Sequence, residues 1–342
     1  MKVKELENGW REIYIENIDD LWYVKNIIDE NAVISATVMR REEKSEDMER
    51  SKATQRKPIA VNVRPEEIFF QPFTNYLRIQ GTIISGPEGT ESQHQAIQVS
   101  ERESIKIYRN DWESLSGKIL KEAMLKTSSN AIFIVMDDEE AIIAEIHEYG
   151  LREVMKIISG KSGKEYTSNY KKQDYFSEIR KGIKSIKYRG PLIITGPGFE
   201  GNNFLQFLKE NEIENISPYN IPSTREDNEA VYEIISTEEV KRILGDSKLS
   251  KEREFMDKFL EGLSKNRWVS YGVTKIVESS EMGAIQSLMV LEEKIREKEI
   301  SHIMEKVWDS SGDIIICAKS SEYYHTLLGF GGIIALLRYN VQ

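Results

Sequence analysis

The first 125 residues alternate apolar and polar positions in short runs, separated by two helical stretches. Alternation with a period of two predicts strands that bury one face. Residues 18–28 predict a helix with Asn17 as its N-cap, and residues 112–125 predict a second helix capped by Asp111. The predicted strands are 10–16, 32–41, 57–63, 75–85 and 95–99. Together these elements indicate a small, barrel-like β-domain at residues 1–127.

The middle of the chain alternates strands with helices, which is typical of an α/β domain at residues 128–245. An acidic tetrapeptide, residues 137–140, predicts the hairpin turn between its first two strands. The predicted strands are 131–136, 141–146 and 191–195. The predicted helices are 170–186 and 202–211.

The last third, residues 246–342, predicts a second α/β domain of the sandwich type. Phe255, Phe259, Leu260 and Leu263 recur at helical spacing and predict one apolar helix face. The predicted elements that end the chain are a strand at 314–318, a helix at 323–328 and a strand at 333–339. Cys317 lies within the first of these strands, so we expect a buried structural thiol.

Composition narrows the class of protein. Hydrophobic residues make up 39% and charged residues 30% of the 342, which is typical of a globular protein with a charged surface. The first ten residues hold no apolar core of a signal peptide, and the longest uncharged C-terminal run is 12 residues, too short to span a bilayer. A single cysteine fits a reducing compartment. We therefore expect a cytoplasmic protein with no membrane contact.

Charge is distributed unevenly along the chain. The net charge of −10 argues against non-specific coating of nucleic acid, but residues 151–190 carry 11 Lys and Arg against 4 Asp and Glu. A basic block on an acidic body predicts a local contact with phosphates. Residues 40–57 form a polar insertion with 7 basic and 5 acidic residues. This insertion is interpreted either as a solvated loop or as a segment that binds RNA.

Two segments therefore supply the candidate RNA-binding residues. The glycine-, serine- and lysine-rich stretch 159–168, with the two lysines that follow it, is interpreted either as plain surface charge or as a phosphate contact. The candidates are Arg40, Arg41, Lys44, Arg50, Lys52, Arg56, Lys57, Lys161, Lys164, Lys171 and Lys172.

A glycine motif, Gly196-Pro-Gly198-Phe-Glu-Gly201, follows a predicted strand and precedes a helix. Such glycines let a pyrophosphate approach a helix N-terminus, but the acidic partner about 20 residues later is missing at 219–222. We expect a structural strand-to-helix turn instead. The chain also lacks a P-loop motif, and its four histidines lack paired spacing. We therefore expect neither bound nucleotide nor structural zinc.

Three carboxylates begin the first predicted helix and are the catalytic candidates: Glu16, Asp19 and Asp20. Two interpretations stay open. Acidic residues favour the first turn of a helix through its dipole, or Asp19 and Asp20 ligate a divalent metal cation that activates water in a ribonuclease.

The order of several segments resembles the archaeal Pelota family, paralogues of class 1 release factors. The N-terminal segments that carry the resemblance are DDLWYVKNII (19–28), ATVMRR (36–41) and LRIQG (77–81). The central segments are AIFIVMD (131–137) and PLIITGPGF (191–199), and the C-terminal segments are VSYGV (269–273), MGA (282–284) and FGGIIALLR (330–338). These segments cover nearly the whole chain.

The resemblance implies an α+β multidomain fold with an Sm-like N-terminal β-domain and a central ribonuclease-H-like α/β domain. It implies a C-terminal α/β sandwich like kink-turn-binding ribosomal proteins. The implied partners are the ribosome, with its rRNA and mRNA, an elongation-factor-like translational GTPase and an ABC-type ribosome-recycling ATPase. The N-terminal domain would occupy the decoding site, with residues 40–57 reaching toward mRNA. We expect a monomer.

One absence separates this chain from the release factors. Gly-Gly-Gln, which release factors use to hydrolyse peptidyl-tRNA, occurs nowhere, and the only adjacent glycines are Gly331 and Gly332. The chain also departs from its relatives at 221–227, where they carry a Ser/Gly-rich stretch. The leading hypothesis is an mRNA-surveillance factor for stalled ribosomes that does not release peptide. The alternative is a metal-dependent endoribonuclease, a hydrolase of no-go decay, that acts through the N-terminal domain.

Overall fold

The computed structural model describes residues 1–41, 56–71, 74–125, 131–160, 172–186, 190–245 and 247–340. The chain divides into two compact units, Met1–Thr127 and Ser128–Gln342. The first division falls where the first domain boundary is predicted, whereas 128–342 form one unit with two sheets. The predicted separation between 245 and 246 stays a prediction.

The first unit is built on a seven-stranded sheet of order β1-β2-β7-β3-β4-β5-β6. Its strands are β1 (Lys2–Glu5), β2 (Trp10–Tyr14), β3 (Val33–Arg41), β4 (Arg56–Phe70), β5 (Tyr76–Ser85), β6 (His94–Ser100) and β7 (Ser104–Tyr108). A short 3-10 helix (Glu7–Gly9) and the helices α1 (Ile18–Ile27) and α2 (Leu115–Leu125) complete it. All five predicted strands are present, and β1 and β7 were not predicted. The alternation predicted for β5 is confirmed, because Leu77, Ile79 and Ile83 are buried and Arg78 is exposed.

The second predicted helix begins three residues late. Trp112 lies before the helix, and its indole Nε1 donates to the Gly9 carbonyl at 2.7 Å. A turn from Asp111 to Ser114 intervenes, closed by a backbone hydrogen bond of 2.9 Å. The prediction of Asp111 as the cap was wrong, because its carboxylate accepts hydrogen bonds from Arg109 instead.

Among the charged side chains described in the first unit, that of Arg109 is the most buried, with 2% of its surface exposed. Its Nε and Nη2 donate to the two carboxylate oxygens of Asp111 at 2.8 and 2.9 Å. Nη2 also donates to Asp29 at 2.8 Å, and Nη1 donates to the Ile27 carbonyl at 2.8 Å. The guanidinium thus joins the end of α1, the turn before β3 and the turn before α2.

The second unit begins with a five-stranded sheet of order β10-β9-β8-β11-β12, in which β11 runs parallel to β8 and β12. Its strands are β8 (Ile132–Met136), β9 (Glu140–His147), β10 (Gly150–Ile158), β11 (Gly190–Thr195) and β12 (Ile216–Asn220). Its helices are α3 (Lys172–Ser185), α4 (Glu200–Glu210), α5 (Glu229–Ile234) and α6 (Glu238–Leu244). One face packs against Phe176 and Phe204 of α3 and α4, and the other against Val231 and Val240 of α5 and α6. The predicted hairpin at 137–140 is confirmed, since Asp137 Oδ1 accepts from the Glu139 and Glu140 amides.

The remainder of the second unit has a four-stranded sheet of order β13-β16-β14-β15. Its helices are α7 (Lys248–Ser264), α8 (Val273–Glu281), α9 (Lys298–Asp309) and α10 (Tyr324–Gly329). Its strands are β13 (Val269–Tyr271), β14 (Ile285–Leu291), β15 (Asp313–Cys317) and β16 (Ile333–Leu337). The predicted α+β fold class is confirmed. Within the described residues, no helix combines the length and apolar character needed to cross a membrane.

Two predictions for this region differ in outcome. Cys317 is fully buried, and burial raises the pKa of its thiol to about 12, so the structural thiol is confirmed. Leu260 was wrongly assigned to the buried face of α7, because 47% of its surface is exposed while Phe255 and Phe259 are buried.

Replacing Arg109 with Ala should destabilise the first unit by about 2–3 kcal/mol. That is less than the roughly 3–5 kcal/mol of fully buried pairs, because 25% of Asp29 and 39% of Asp111 are exposed. Urea unfolding in a Trp268→Phe/Trp308→Phe background measures this, since the remaining tryptophans all lie in the first unit. Arg64→Ala, an exposed control on β4, should change stability by less than about 0.5 kcal/mol.

The stability lost on replacing Arg109 with Ala should decrease as the pH falls. Hydrogen bonds from Arg109 lower the pKa of Asp111 below its usual value. A lowered pKa stabilises the fold above the unfolded pKa, and this stabilisation is lost as pH falls through the folded pKa. The difference between wild type and Arg109→Ala should therefore narrow below about pH 4. A difference that is constant from pH 7 to pH 3 would contradict this ionic account.

Candidate functional site

The three candidate carboxylates lie at the start of α1, where two of them have defined structural partners. Asn17 is the N-cap, and its Oδ1 accepts from the Asp20 amide at 3.1 Å. In return, Asp20 Oδ2 accepts from the amides of Asn17 at 3.3 Å and Glu16 at 2.8 Å. This reciprocal arrangement is a capping box, which satisfies amides that a helix start leaves unpaired. The predicted Asn17 cap is confirmed.

The α-amino group of Met1 binds the same carboxylates. It lies 2.7 Å from Glu16 Oε2 and 3.0 Å from Asp20 Oδ2, and Lys2 Nζ lies 2.9 Å from Glu16 Oε1. Burial alone would lower the pKa of the amino group, but the hydrogen bonds to Glu16 and Asp20 outweigh burial and raise it. The hydrogen bonds from the amino group and Lys2 lower the pKa of Glu16. Two ammonium groups therefore balance the negative charges of Glu16 and Asp20.

These contacts do not fit a divalent cation at Asp19 and Asp20. A hard cation needs several carboxylate or carbonyl oxygens free to coordinate it, whereas Asp20 Oδ2 already accepts two amides and faces an ammonium. Asp19 is buried, with 4% of its surface exposed. Across the described residues, no three His, Cys, Asp or Glu side chains are grouped as metal ligands. Helix capping accounts for the contacts of the Asp20 carboxylate.

The basic candidates of the first unit meet at one end of the β3–β4 ladder. The register places Arg40 opposite Lys57 and Arg41 opposite Arg56. Four basic residues thus occupy the last two rungs before the connecting segment. Lys44, Arg50 and Lys52 belong to that segment and lie outside the described residues.

Lys172 is the one basic candidate of residues 159–172 that the structure describes. It begins α3, and its Nζ lies 2.7 Å from Glu200 Oε1 and 5.5 Å from the ring centroid of Phe176. The ion pair between Lys172 and Glu200 therefore links the start of α3 to the start of α4. Lys161, Lys164 and Lys171 lie outside the described residues.

The glycine motif forms the predicted strand-to-helix turn between β11 and α4. Gly196 has φ +131°, and a Cβ there would lie 2.1 Å from the Met136 carbonyl oxygen. A Cβ on Gly201 would lie 2.3 Å from Asn220 Oδ1. Close packing against β8 and β12 thus accounts for both glycines. Phe199, at the tip of the turn, is 80% exposed.

A buried ionic cluster in the second unit was not predicted. Glu252 of α7 is 3% exposed, accepts from Ser321 Oγ at 2.7 Å and lies 3.8 Å from Lys248 Nζ. Burial raises the pKa of Glu252, although Lys248 opposes the rise. Lys248 also donates to the Glu148 carbonyl in the β9–β10 turn. The cluster joins segments about 100 residues apart, so local sequence patterns carry no signal for it.

Comparison with known proteins gives a consistent result along the chain. Residues 1–124 match the Pelota N-terminal domain model, and residues 249–341 match the model of eRF1 domain 3. The protein pelota homolog of Thermoplasma acidophilum is 34% identical over 340 residues, covering 99% of this chain and 98% of the relative. The crystal structure of the T. acidophilum Pelota protein aligns over all of both chains, with a TM-score of 0.78 and 28% identity.

A more distant structure shares the fold alone. S. cerevisiae Dom34, a translation termination-like factor involved in RNA quality control and interacting with Hbs1, aligns with a TM-score of 0.54 and 18% identity. The alignment covers 100% of this chain and 99% of Dom34.

Replacing Asp20 with Ala should destabilise the first unit by about 1 kcal/mol, because the capping box is lost. Asp20→Asn keeps an oxygen acceptor and should lose less. The measurement is urea unfolding in the same Trp268→Phe/Trp308→Phe background, with and without MgCl₂. Stabilisation of the wild type by Mg²⁺ that Asp20→Ala abolishes would contradict the capping assignment and restore the cation.

Proposed function

The chain belongs to the Pelota family, and we propose from this that it recognises stalled ribosomes and promotes their dissociation with a translational GTPase. The observation that carries the proposal is the similarity to Pelota relatives over nearly the whole chain. This similarity includes the first unit, which carries the basic end of the β3–β4 ladder, and the second unit, which carries the basic block at residues 151–190. We therefore propose an mRNA-surveillance role in the cytoplasm.

The basic end of the β3–β4 ladder supports an RNA contact in the first unit. The register places Arg40 opposite Lys57 and Arg41 opposite Arg56, so four cationic residues stand at adjoining positions of the two strands. Clusters of cationic residues bind phosphate groups, and this binding releases counterions from the nucleic acid. The register therefore favours the second interpretation of residues 40–57, in which the segment contacts mRNA at the decoding site.

The second unit supplies the other proposed RNA contact, through residues 151–190. β10 lies at the edge of its sheet, and its basic residues Arg152 and Lys156 belong to this block. Lys156 is partly committed to Glu140 at 2.7 Å, and Lys172 to Glu200. We propose that the remaining basic residues of the block bind ribosomal RNA. The translational GTPase and the ABC-type ATPase are proposed partners on the strength of family membership.

No observation favours the alternative endoribonuclease. The Asp20 carboxylate accepts hydrogen bonds in the capping box, and the Glu16 carboxylate pairs with two ammonium groups, which argues against either as the group that activates water. We therefore propose binding and recruitment, with a cation playing no part in the proposed mechanism.

Peptide release is not part of the proposed function. The only adjacent glycines, Gly331 and Gly332, have φ of +89° and +82° and form the turn between α10 and β16. The Gly332 amide donates to the Leu327 carbonyl at 2.9 Å. This pair thus serves a turn in the C-terminal sheet.

Replacing Lys44, Arg50 and Lys52 with Ala should weaken binding to stalled ribosomes and slow subunit dissociation. Substitution is preferable to deletion, because residues 40, 41, 56 and 57 belong to the ladder. Each lost phosphate contact reduces the salt dependence of binding, so the log–log slope should fall by about two. Co-sedimentation with ribosomes stalled on truncated mRNA, across a range of salt, measures it.

The matched control removes the same charge elsewhere in the first unit. Lys4, Lys106 and Lys121 are exposed, and Lys4→Ala/Lys106→Ala/Lys121→Ala should leave slope and dissociation unchanged. If the two triple variants have equal effects, the loss of net charge explains the result and the proposed contact at residues 40–57 is contradicted. Normal dissociation by the Lys44/Arg50/Lys52 variant would remove the segment's assigned role.

In a release assay with peptidyl-tRNA in the ribosomal P site, the protein should liberate no peptide above the factor-free rate. The reason is that no Gly-Gly-Gln is present to position water at the ester. A class 1 release factor on a stop codon is the positive control. Release that depends on this chain would overturn this part of the proposal.

A further inference from the structure

A groove of about 220 Å³ lies on the outward face of β4 and β5. Its lining combines aromatic rings with guanidinium, amide and hydroxyl groups. The lining residues are Phe69, Gln71, Thr74, Tyr76, Arg78 and Gln80. This volume is below the roughly 300–1,000 Å³ of sites for drug-sized ligands, which suits a single planar ring.

The sheet presents these side chains in a fixed arrangement. Phe69 of β4 lies directly opposite Arg78 of β5, which in turn opposes Gln98 of β6. Leu77 and Ile79 point into the core, so Arg78 faces outward. Because antiparallel strands on both sides hold β5, the groove exists before any ligand arrives.

Phe69 is the unusual residue of this face. It is 45% exposed, although burying an aromatic ring is among the largest sources of stability available to a side chain. An exposed ring on a β-sheet beside polar groups is the arrangement with which single-stranded nucleic acids are bound, since every base has a face that can stack. Core packing gives no reason for an aromatic residue here.

The polar groups around Phe69 are suited to the edges of a base. With its amide oxygen turned toward Arg78, Gln80 accepts from Nη2 at 3.0 Å and from Nε at 3.1 Å. These two hydrogen bonds restrict the orientation of the guanidinium, which belongs to the residue directly opposite Phe69. Thr74 Oγ1 donates to the Gln71 carbonyl at 3.0 Å, which leaves the hydroxyl oxygen able to accept.

The charge of the groove favours a base over a phosphate. Among the lining residues that the structure describes, Arg78 is the only charged one, and Glu67 lies opposite Gln80 in the ladder. Phosphate sites collect several cationic groups, whereas bases are bound by stacking and by hydrogen bonds to their edges. We propose that this groove binds one unpaired RNA base, stacked on Phe69 with its edge toward Arg78. The proposal rests on the proposed function for its ligand, because a ribosome-bound factor meets unpaired RNA.

The test uses the full-length protein and fluorescent single-stranded oligoribonucleotides of about ten nucleotides, which span the usual site sizes. Phe69→Ala should weaken binding by roughly tenfold, the usual effect of losing one stacked base. Phe69→Trp restores a stacking face and should stay within about threefold of wild type. Ile84→Ala, 36% exposed on the neighbouring strand β5 and outside the groove, should bind as wild type does.

Salt dependence and a duplex competitor identify the kind of contact. A lost stack leaves the salt slope unchanged, whereas a lost phosphate contact lowers it. Phe69→Ala and Arg78→Ala should therefore keep the wild-type slope, in contrast to the Lys44/Arg50/Lys52 variant. Both groove variants should bind a matched RNA duplex as the wild type does, because paired bases offer no exposed face.

Three results would overturn the proposal. In the first, the wild type does not bind the oligonucleotide, or Phe69→Ala binds it normally. In the second, Phe69→Ala loses affinity for duplex and single strand alike. In the third, Phe69→Ala slows GTPase-dependent ribosome dissociation but binds RNA normally, which would assign the groove to a protein partner. Each of these results leaves the proposed function intact if the Lys44/Arg50/Lys52 variant still fails to dissociate ribosomes. Failure of the groove proposal is therefore distinguishable from failure of the proposed function.

Discussion

The first unit depends on one buried cation. The Arg109 guanidinium donates four hydrogen bonds, to a main-chain carbonyl and two carboxylates. The contact to Ile27 fixes where α1 ends, the contact to Asp29 fixes the turn into β3, and the contact to Asp111 fixes the turn before α2. Because β3 starts from this point and pairs with β4, the position of the basic ladder end follows from it. A lysine, with a single point charge, cannot replace the planar fork.

Local pattern predicted β3, β4 and β5 of the first sheet and the three interior strands of the five-stranded sheet, but it missed both edge strands of the latter. β3, β4 and β5 bury one face and expose the other, so their alternation is readable. β10 and β12 lie at the two edges of their sheet. β10 carries Arg152, Glu153 and Lys156, and was read as part of a basic block. β12 contains Pro218, which weakens any strand prediction but is tolerated on an edge.

The candidate site was predictable only as far as its contacts are local. Asn17 and Asp20 are three residues apart, so the capping box is visible in the sequence. The Met1 amino group reaches Glu16 only because β1 pairs with β2, and composition cannot show that. The groove beside Phe69 is harder still. Its register includes a bulge between Pro65 and Glu67, and a shift of one residue would turn Phe69 to the other face.

The length of β4 has a geometric consequence for any RNA on this unit. Lys57, at the basic ladder end, and Phe69, in the groove, stand on the same strand. Twelve residue steps separate them, which is roughly 40 Å in an extended strand and less where the bulges bend it. An RNA that touches both ends must therefore span several nucleotides in extended form. The length of β4 thus sets the spacing between a phosphate contact at one end and a base contact at the other.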